Sequence, residues 1–179
     1  MVVATPSDES ETRLLLSTCY QYPGPASVRY PRGAGCGAAE SAGLETVEVG
    51  RGVVRREGRK IAILGFGTLV SAALAAADKL DATVADMRFV KPIDRELILD
   101  LAARHDALVT LEDASIMGGA GSAVLETLSA AGVQTPVLQL GLPDAFIDHG
   151  DQSALLAGIG LDAAGIERSI RARYADLLA

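Results

Sequence analysis

Ile61-Ala62-Ile63-Leu64-Gly65-Phe66-Gly67-Thr68 decides the fold of this chain. Four apolar residues in a row, two of them β-branched, read as a strand buried on both faces, the habit of central strands in parallel sheets. The Gly-rich turn hands over to a helical pattern with Leu69, Ala73, Ala76 and Leu80 on one face, and Thr68 is placed to cap it. The alternation continues downstream. Thr83 to Val90 reads as a strand stopped by Lys91-Pro92, Asp94 to Arg104 as a helix burying Leu97, Ile98 and Leu101, and Ala107 to Leu111 as a strand. Gly118-Gly119-Ala120-Gly121-Ser122 then leads into a helix bearing Val124, Leu125 and Leu128. Pro136 to Leu140 is the last strand. A final helix from about Asp162 aligns Ile166, Ile170 and Tyr174, with Glu167 and Arg171 one turn apart as a favourable pair. Upstream, Val47 to Arg56 reads as a strand interrupted by Gly50 and Gly52, with a turn at Glu57-Gly58. Strands alternating with helices predict an α/β fold whose sheet is mostly parallel and covered on both faces.

The first residues repeat the theme once and then stop. Met1 to Ala4 is a short apolar run. Thr5, Pro6 and Asp8 fit the cap and first turn of a helix that continues to about Cys19. Pro23, Gly24 and Pro25 break it, and Ala26 to Tyr30 reads as a strand stopped by Pro31. One strand-helix-strand unit cannot bury both faces of its sheet, so its partner strands lie elsewhere. From Gly33 to Gly43 the chain is rich in Gly and Ala without periodicity, which marks a boundary. The division expected is residues 1–33, a linker at 34–46, and a second unit at 47–179.

Composition narrows the class. A length of 179 residues suits one domain, or one and part of another. Hydrophobic residues make up 49% but aromatics only 4%, with no Trp, so the core must come from Ala, Val, Leu and Ile. A net charge of −7 argues against nucleic acid or an anionic membrane as partner. No apolar run approaches the roughly 20 residues of a membrane span, and the opening residues lack a signal peptide's basic leader. Cys19 and Cys36 form neither a metal spacing nor a disulfide framework. A cytoplasmic setting is the expectation.

Several motifs invite chemistry. Gly65-Phe66-Gly67-Thr68 has the setting of a dinucleotide-binding turn, and Asp86 falls near the distance of a ribose-binding acid, but Val70 stands where a third glycine belongs. Gly118 to Ser122 offers backbone N–H groups to an anion, without the lysine of a P-loop; close backbone packing is the alternative. Glu112 and Asp113 sit at a strand's carboxyl end, where they would point to opposite faces, so capping or an interface is expected ahead of a catalytic pair. His105 ends a helix, where a surface role is the default. His149 lies in the loop after the last strand, with no nucleophile near it in sequence. Arg29 and Arg32 flank Tyr30-Pro31. Arg32, just past the strand end and held between Pro31 and Gly33, can fork onto a phosphate or carboxylate. A salt bridge across the boundary is equally compatible with the spacing.

With these residues in view, the chain resembles the C-terminal part of the 1-deoxy-D-xylulose-5-phosphate synthase family, within the transketolase-like superfamily. The resemblance runs through Thr5 to Glu9, Val28 to Gly33, Ile61 to Thr68, Asp86 to Pro92, Met117 to Ser122, Gly141 to Asp144 and Leu161 to Gly165, in the family's order. It implies an enzyme that joins pyruvate to glyceraldehyde 3-phosphate with loss of carbon dioxide, using thiamine diphosphate and magnesium, and that works as a homodimer. Residues 1–33 would close a pyrimidine-binding domain. Residues 47–179 would form a transketolase C-terminal-like domain with a five-stranded, mostly parallel sheet. Arg32 would hold the phosphate of the aldehyde.

The family binds its diphosphate and magnesium through a Gly-Asp-Gly segment with an Asn downstream, and this chain has no such segment and no Asn. The resemblance therefore carries over no catalytic, cofactor-binding or metal-binding residue. The expectation is a chain that starts partway through the enzyme, is inactive and binds no cofactor alone, and needs the N-terminal part of the same enzyme as partner. Two other readings stay open: a β-subunit or C-terminal domain of another thiamine enzyme, such as a 2-oxo acid dehydrogenase, and a stand-alone assembly or binding module.

Overall fold

Alternation along the strand Ile61–Phe66 divides the core in two. Ile61 and Ile63 face one layer of helices, and Ala62, Leu64 and Phe66 face the other. The computed structural model describes residues 1–39 and 42–178; residues 40 and 41, inside the expected linker, and residue 179 lie outside these. In chain order the elements begin with β1 (Val2–Ala4), α1 (Glu9–Gln21) and β2 (Ala26–Val28). Then come β3 (Val53–Arg56), β4 (Ile61–Phe66), α2 (Val70–Leu80), β5 (Thr83–Asp86), β6 (Phe89–Lys91), α3 (Arg95–Arg104) and β7 (Ala107–Ser115). Last are α4 (Ala120–Ala130), β8 (Val137–Leu142), α5 (Gln152–Gly158), α6 (Ala163–Arg173) and α7 (Ala175–Leu178).

The larger sheet has the order β3-β5-β4-β7-β8, with β3 antiparallel at one edge and the other pairs parallel. The mostly parallel five-stranded sheet is as expected. On one face, α2 and α6 bury Ala73, Ala76, Leu80, Ile166 and Ile170 against Ile63, Val84 and Val109. On the other, α3 and α4 bury Ile98, Leu101, Val124 and Leu128 against Leu64, Ala85 and Leu108. The alanines of α2 substitute for the missing aromatics by letting helix and sheet approach closely. Each fully buried Leu, Ile or Val contributes roughly 1.5–3 kcal/mol.

A second sheet, β2-β1-β6, joins the first strands of the chain to the segment that follows β5. β1 pairs parallel with β2, as the strand-helix-strand reading requires, and antiparallel with β6. The expected single strand over Thr83–Val90 is corrected here. Arg88 has a φ of 57°, which breaks the extended run after Asp86 and sends Phe89 into the second sheet. Phe89 then fills a small core with Val2, Ala4 and Leu15.

Three further expectations are corrected. Asp8, not Thr5, caps α1, accepting from the Glu11 N–H at 2.8 Å, while the Thr5 N–H donates to the Arg88 carbonyl at 2.7 Å. Thr68 caps nothing: α2 starts without a side-chain cap, and the Thr68 carbonyl accepts from Ser71 Oγ at 3.0 Å. The run Val47–Arg56 joins the sheet only from Val53, because Gly50 holds a φ of 85°. Helix α5, capped by Asp151, had no counterpart in the sequence reading.

Candidate functional site

The segment carrying the two arginines leaves the small sheet at Arg29, whose N–H donates to the Ala4 carbonyl at 2.8 Å. Its guanidinium reaches the end of β7. One Nη donates to the Asp113 carboxylate and the other to the Asp113 carbonyl at 2.9 Å. Tyr30 and Pro31 follow. Arg32 is exposed and forms no hydrogen bond or ion pair among the described residues. Arg29, Tyr30, Pro31, Asp113, Pro6 and the Gly67-Thr68 turn enclose a recess of about 80 Å³. The fold thus brings Arg29, Asp113 and the Gly67-Thr68 turn together. Of the two arginines, Arg29 makes the ion pair, with Asp113, and Arg32 makes none among the described residues.

Glu112 points the other way. Its buried carboxylate accepts the N–H groups of Ala120 at 2.7 Å and Gly121 at 2.8 Å, which places it at the N-terminus of α4. The Gly-rich turn is therefore an anion cradle already filled by the chain's own carboxylate. Desolvation raises the Glu112 pKa, and the two N–H donors oppose the rise. Gly119 and Gly121 permit this approach. A Cβ at Gly119 would lie 2.3 Å from Glu112 Oε2, and one at Gly121 would lie 2.6 Å from Thr110 Oγ1.

Asp86 is fully buried and far from any ribose-binding role. It accepts from Ser7 Oγ at 2.7 Å and from the Arg88 N–H at 3.1 Å. Burial pushes its pKa from 3.8 up to about 6, with nearby Glu11 adding to the rise and Ser7 and Arg88 countering it. The surface role expected of His105 is corrected, because the ring is buried. Its Nδ1 donates to the Leu101 carbonyl at 2.8 Å, and its Nε2 accepts from Thr83 Oγ1 at 2.8 Å. Thr83 Oγ1 also accepts the Gly58 N–H at 2.9 Å; the Leu101 carbonyl, which can only accept, sets the tautomer with the proton on Nδ1. His149 is exposed in its loop.

Sequence reasoning missed a charged cluster at the junction of the two sheets. Glu11, Arg88 and Arg55 meet there beside Asp86 and Ser7. The signal was present, since Glu11 lies one helical turn before Leu15 on the face of α1 that is buried. A carboxylate on an apolar stripe demands a partner.

Residues 50–166 match the family described as the C-terminal domain of transketolase. The chain belongs to that family. Among curated relatives of this transketolase C-terminal domain, 1-deoxy-D-xylulose-5-phosphate synthase of Bordetella parapertussis is 81% identical over 179 residues, 100% of this chain and 29% of the relative. The synthase of Thiobacillus denitrificans is 60% identical over 99% of this chain and 29% of its own length. The chain thus spans under a third of these relatives. Among solved structures, a split-gene transketolase described as an inactive β4 tetramer superposes with a TM-score of 0.86 at 34% identity, over 100% of this chain and 59% of that one. Transketolase from Campylobacter jejuni shares the fold with a TM-score of 0.61 at 12% identity, over 96% of this chain and 26% of that one. Among the described residues no helix is long and apolar enough to cross a membrane.

Proposed function

We propose that this chain is the C-terminal portion of a thiamine-diphosphate-dependent 1-deoxy-D-xylulose-5-phosphate synthase, a transferase acting on pyruvate and glyceraldehyde 3-phosphate in the cytoplasm. The observation that carries the reading is Arg32, an unpaired guanidinium on a Pro-bounded segment, in a chain 81% identical over its full length to such a synthase. In this reading residues 1–33 close the pyrimidine-binding domain, 34–46 link, and 47–179 form the C-terminal domain. The edge of β2, which among the described residues bonds only to β1 in its sheet, supports further strands from the rest of the enzyme.

The described residues do not fit a site for the cofactor or its magnesium ion. No three His, Cys, Asp or Glu side chains among them converge on a cation position, and the chain has no Asn. Thiamine diphosphate supplies the carbanion chemistry when bound, and the groups that hold it belong in this reading to other segments of the enzyme. What this chain contributes is the grip on the aldehyde's phosphate. Arg32 offers a planar fork of donors that matches the oxygens of a phosphate. The partners proposed are the N-terminal part of the same enzyme and a second copy. The inactive tetramer formed by the split-gene relative supports a chain that assembles without turning over substrate alone.

The test uses the B. parapertussis synthase with its matching segment replaced by this chain. Arg32→Ala should lower kcat/KM for glyceraldehyde 3-phosphate about 10- to 100-fold, the loss of a charge-assisted contact of roughly 1.5–3 kcal/mol. The KM for pyruvate should hold. An unchanged constant for the aldehyde would remove Arg32 from the site.

A further inference from the structure

We propose that Arg29 and Asp113 form a positioning clamp that aims Arg32 at the phosphate of the aldehyde; the inference rests on the reading of Arg32 given above. Among the described residues no hydrogen bond holds residues 30–33. The direction in which this segment leaves the small sheet is therefore set at Arg29. There a planar guanidinium is fixed at two points, on the carboxylate and on the carbonyl of one residue 84 positions away. A two-point contact defines an orientation as well as a distance. Between Arg29 and Arg32 stand Tyr30 and Pro31, and the ring-fixed φ of Pro31 limits how far that orientation is lost before Arg32.

Asp113 is a firm anchor. Its neighbour Glu112 is locked to the N-terminus of α4 by two N–H groups, and β7 lies in the larger sheet between β4 and β8. The clamp thus ties the end of the small sheet to the end of β7 in the large one. Its charges also sort the site. Asp113 pairs the charge of Arg29, which lines the recess with Pro31, Gly67 and Thr68, and Arg32 follows Pro31 with no ion pair among the described residues. A half-exposed ion pair contributes little to stability; its consequence here is geometric, and small misplacements of a binding group cost rate steeply.

The experiment is a double-mutant cycle in the same chimeric synthase, with glyceraldehyde 3-phosphate, unphosphorylated glyceraldehyde and pyruvate as separate variable substrates. Arg29→Ala and Asp113→Asn should each raise the KM for glyceraldehyde 3-phosphate about tenfold, leaving the constants for glyceraldehyde and pyruvate in place. Arg29→Ala combined with Arg32→Ala should be no worse than Arg32→Ala alone, because a clamp has nothing to aim once Arg32 is gone. Arg29→Lys, which keeps the charge and loses the fork, should fall between wild type and Arg29→Ala. If Arg32→Ala raises the KM and the clamp variants do not, or if their effects multiply with that of Arg32→Ala, the clamp is wrong and the phosphate reading stands. If Arg32→Ala itself leaves the KM unchanged, both fall together.

Discussion

Glu11 and Arg88, 77 residues apart in sequence, meet in a two-point ion pair, with Oε2 at 2.8 Å from Nε and Oε1 at 2.7 Å from Nη2. The Glu11 side chain is 6% exposed and that of Arg88 14%. Arg55 stands behind them, 3.4 Å from Glu11 and 3.5 Å from Asp8. The pair lies where α1 meets the bend between β5 and β6, so it fastens the first helix to the segment that leaves the larger sheet.

Removing one partner should therefore be more damaging than an exposed ion pair would suggest. Arg88→Ala removes the two-point partner and leaves the buried carboxylate to the longer 3.4 Å contact with Arg55, and the expected loss of stability is about 3 kcal/mol. Urea unfolding of the purified chain measures it. A change below about 0.5 kcal/mol, the range of ordinary surface substitutions, would mean that the pair is solvated in solution.

Asp86 gives a pH dependence of known sign. Its folded pKa of about 6 lies above the ordinary 3.8, so between those values the folded chain holds a proton that the unfolded chain has released. Stability from this group is full below about pH 4 and declines as pH rises through 6, by up to about 3 kcal/mol. Asp86→Asn, uncharged throughout, should flatten the stability profile across that window relative to wild type. Parallel profiles for the two proteins would show that the carboxyl is ionised in the fold.

Glu112 should behave as a cap. Glu112→Ala uncovers the N–H groups of Ala120 and Gly121 in a buried setting and should lower stability by about 2 kcal/mol. Glu112→Gln, with one acceptor oxygen for two donors, should lose less. Gly121→Ala tests the same packing from the other side, since its Cβ would meet Thr110 Oγ1 at 2.6 Å and Gln139 Nε2 at 2.7 Å. A loss of about 1–3 kcal/mol is expected. Thermal unfolding of the three variants checks the set, and a Glu112→Ala protein as stable as wild type would return the turn to the status of an open anion site.

The larger sheet was legible because its signals are local and repeated. Ile61 to Leu64 can only be a central strand, and the helices on either side show their apolar faces at helical spacing. The caps were misread where two candidates compete within a few residues. Thr5 and Asp8 both precede α1, and the stronger acceptor nearer the first turn wins. The break at Met87-Arg88 was hidden because a positive φ at an arginine leaves no mark in composition, unlike one at Gly50. At the site, the divergence of Glu112 and Asp113 followed from strand geometry alone. The partners of those two residues did not. Nothing in a linear pattern pairs Arg29 with Asp113, or Glu11 with Arg88, because each contact closes only after both sheets have formed.

The most direct test of the central claim is whether this chain completes a synthase. The B. parapertussis enzyme carrying this chain in place of its matching segment is incubated with pyruvate, glyceraldehyde 3-phosphate, thiamine diphosphate and magnesium, and 1-deoxy-D-xylulose 5-phosphate is measured beside the isolated chain. The account predicts product from the chimera and none from the chain alone. A folded chimera that forms no product, or an isolated chain that forms it unaided, would contradict it.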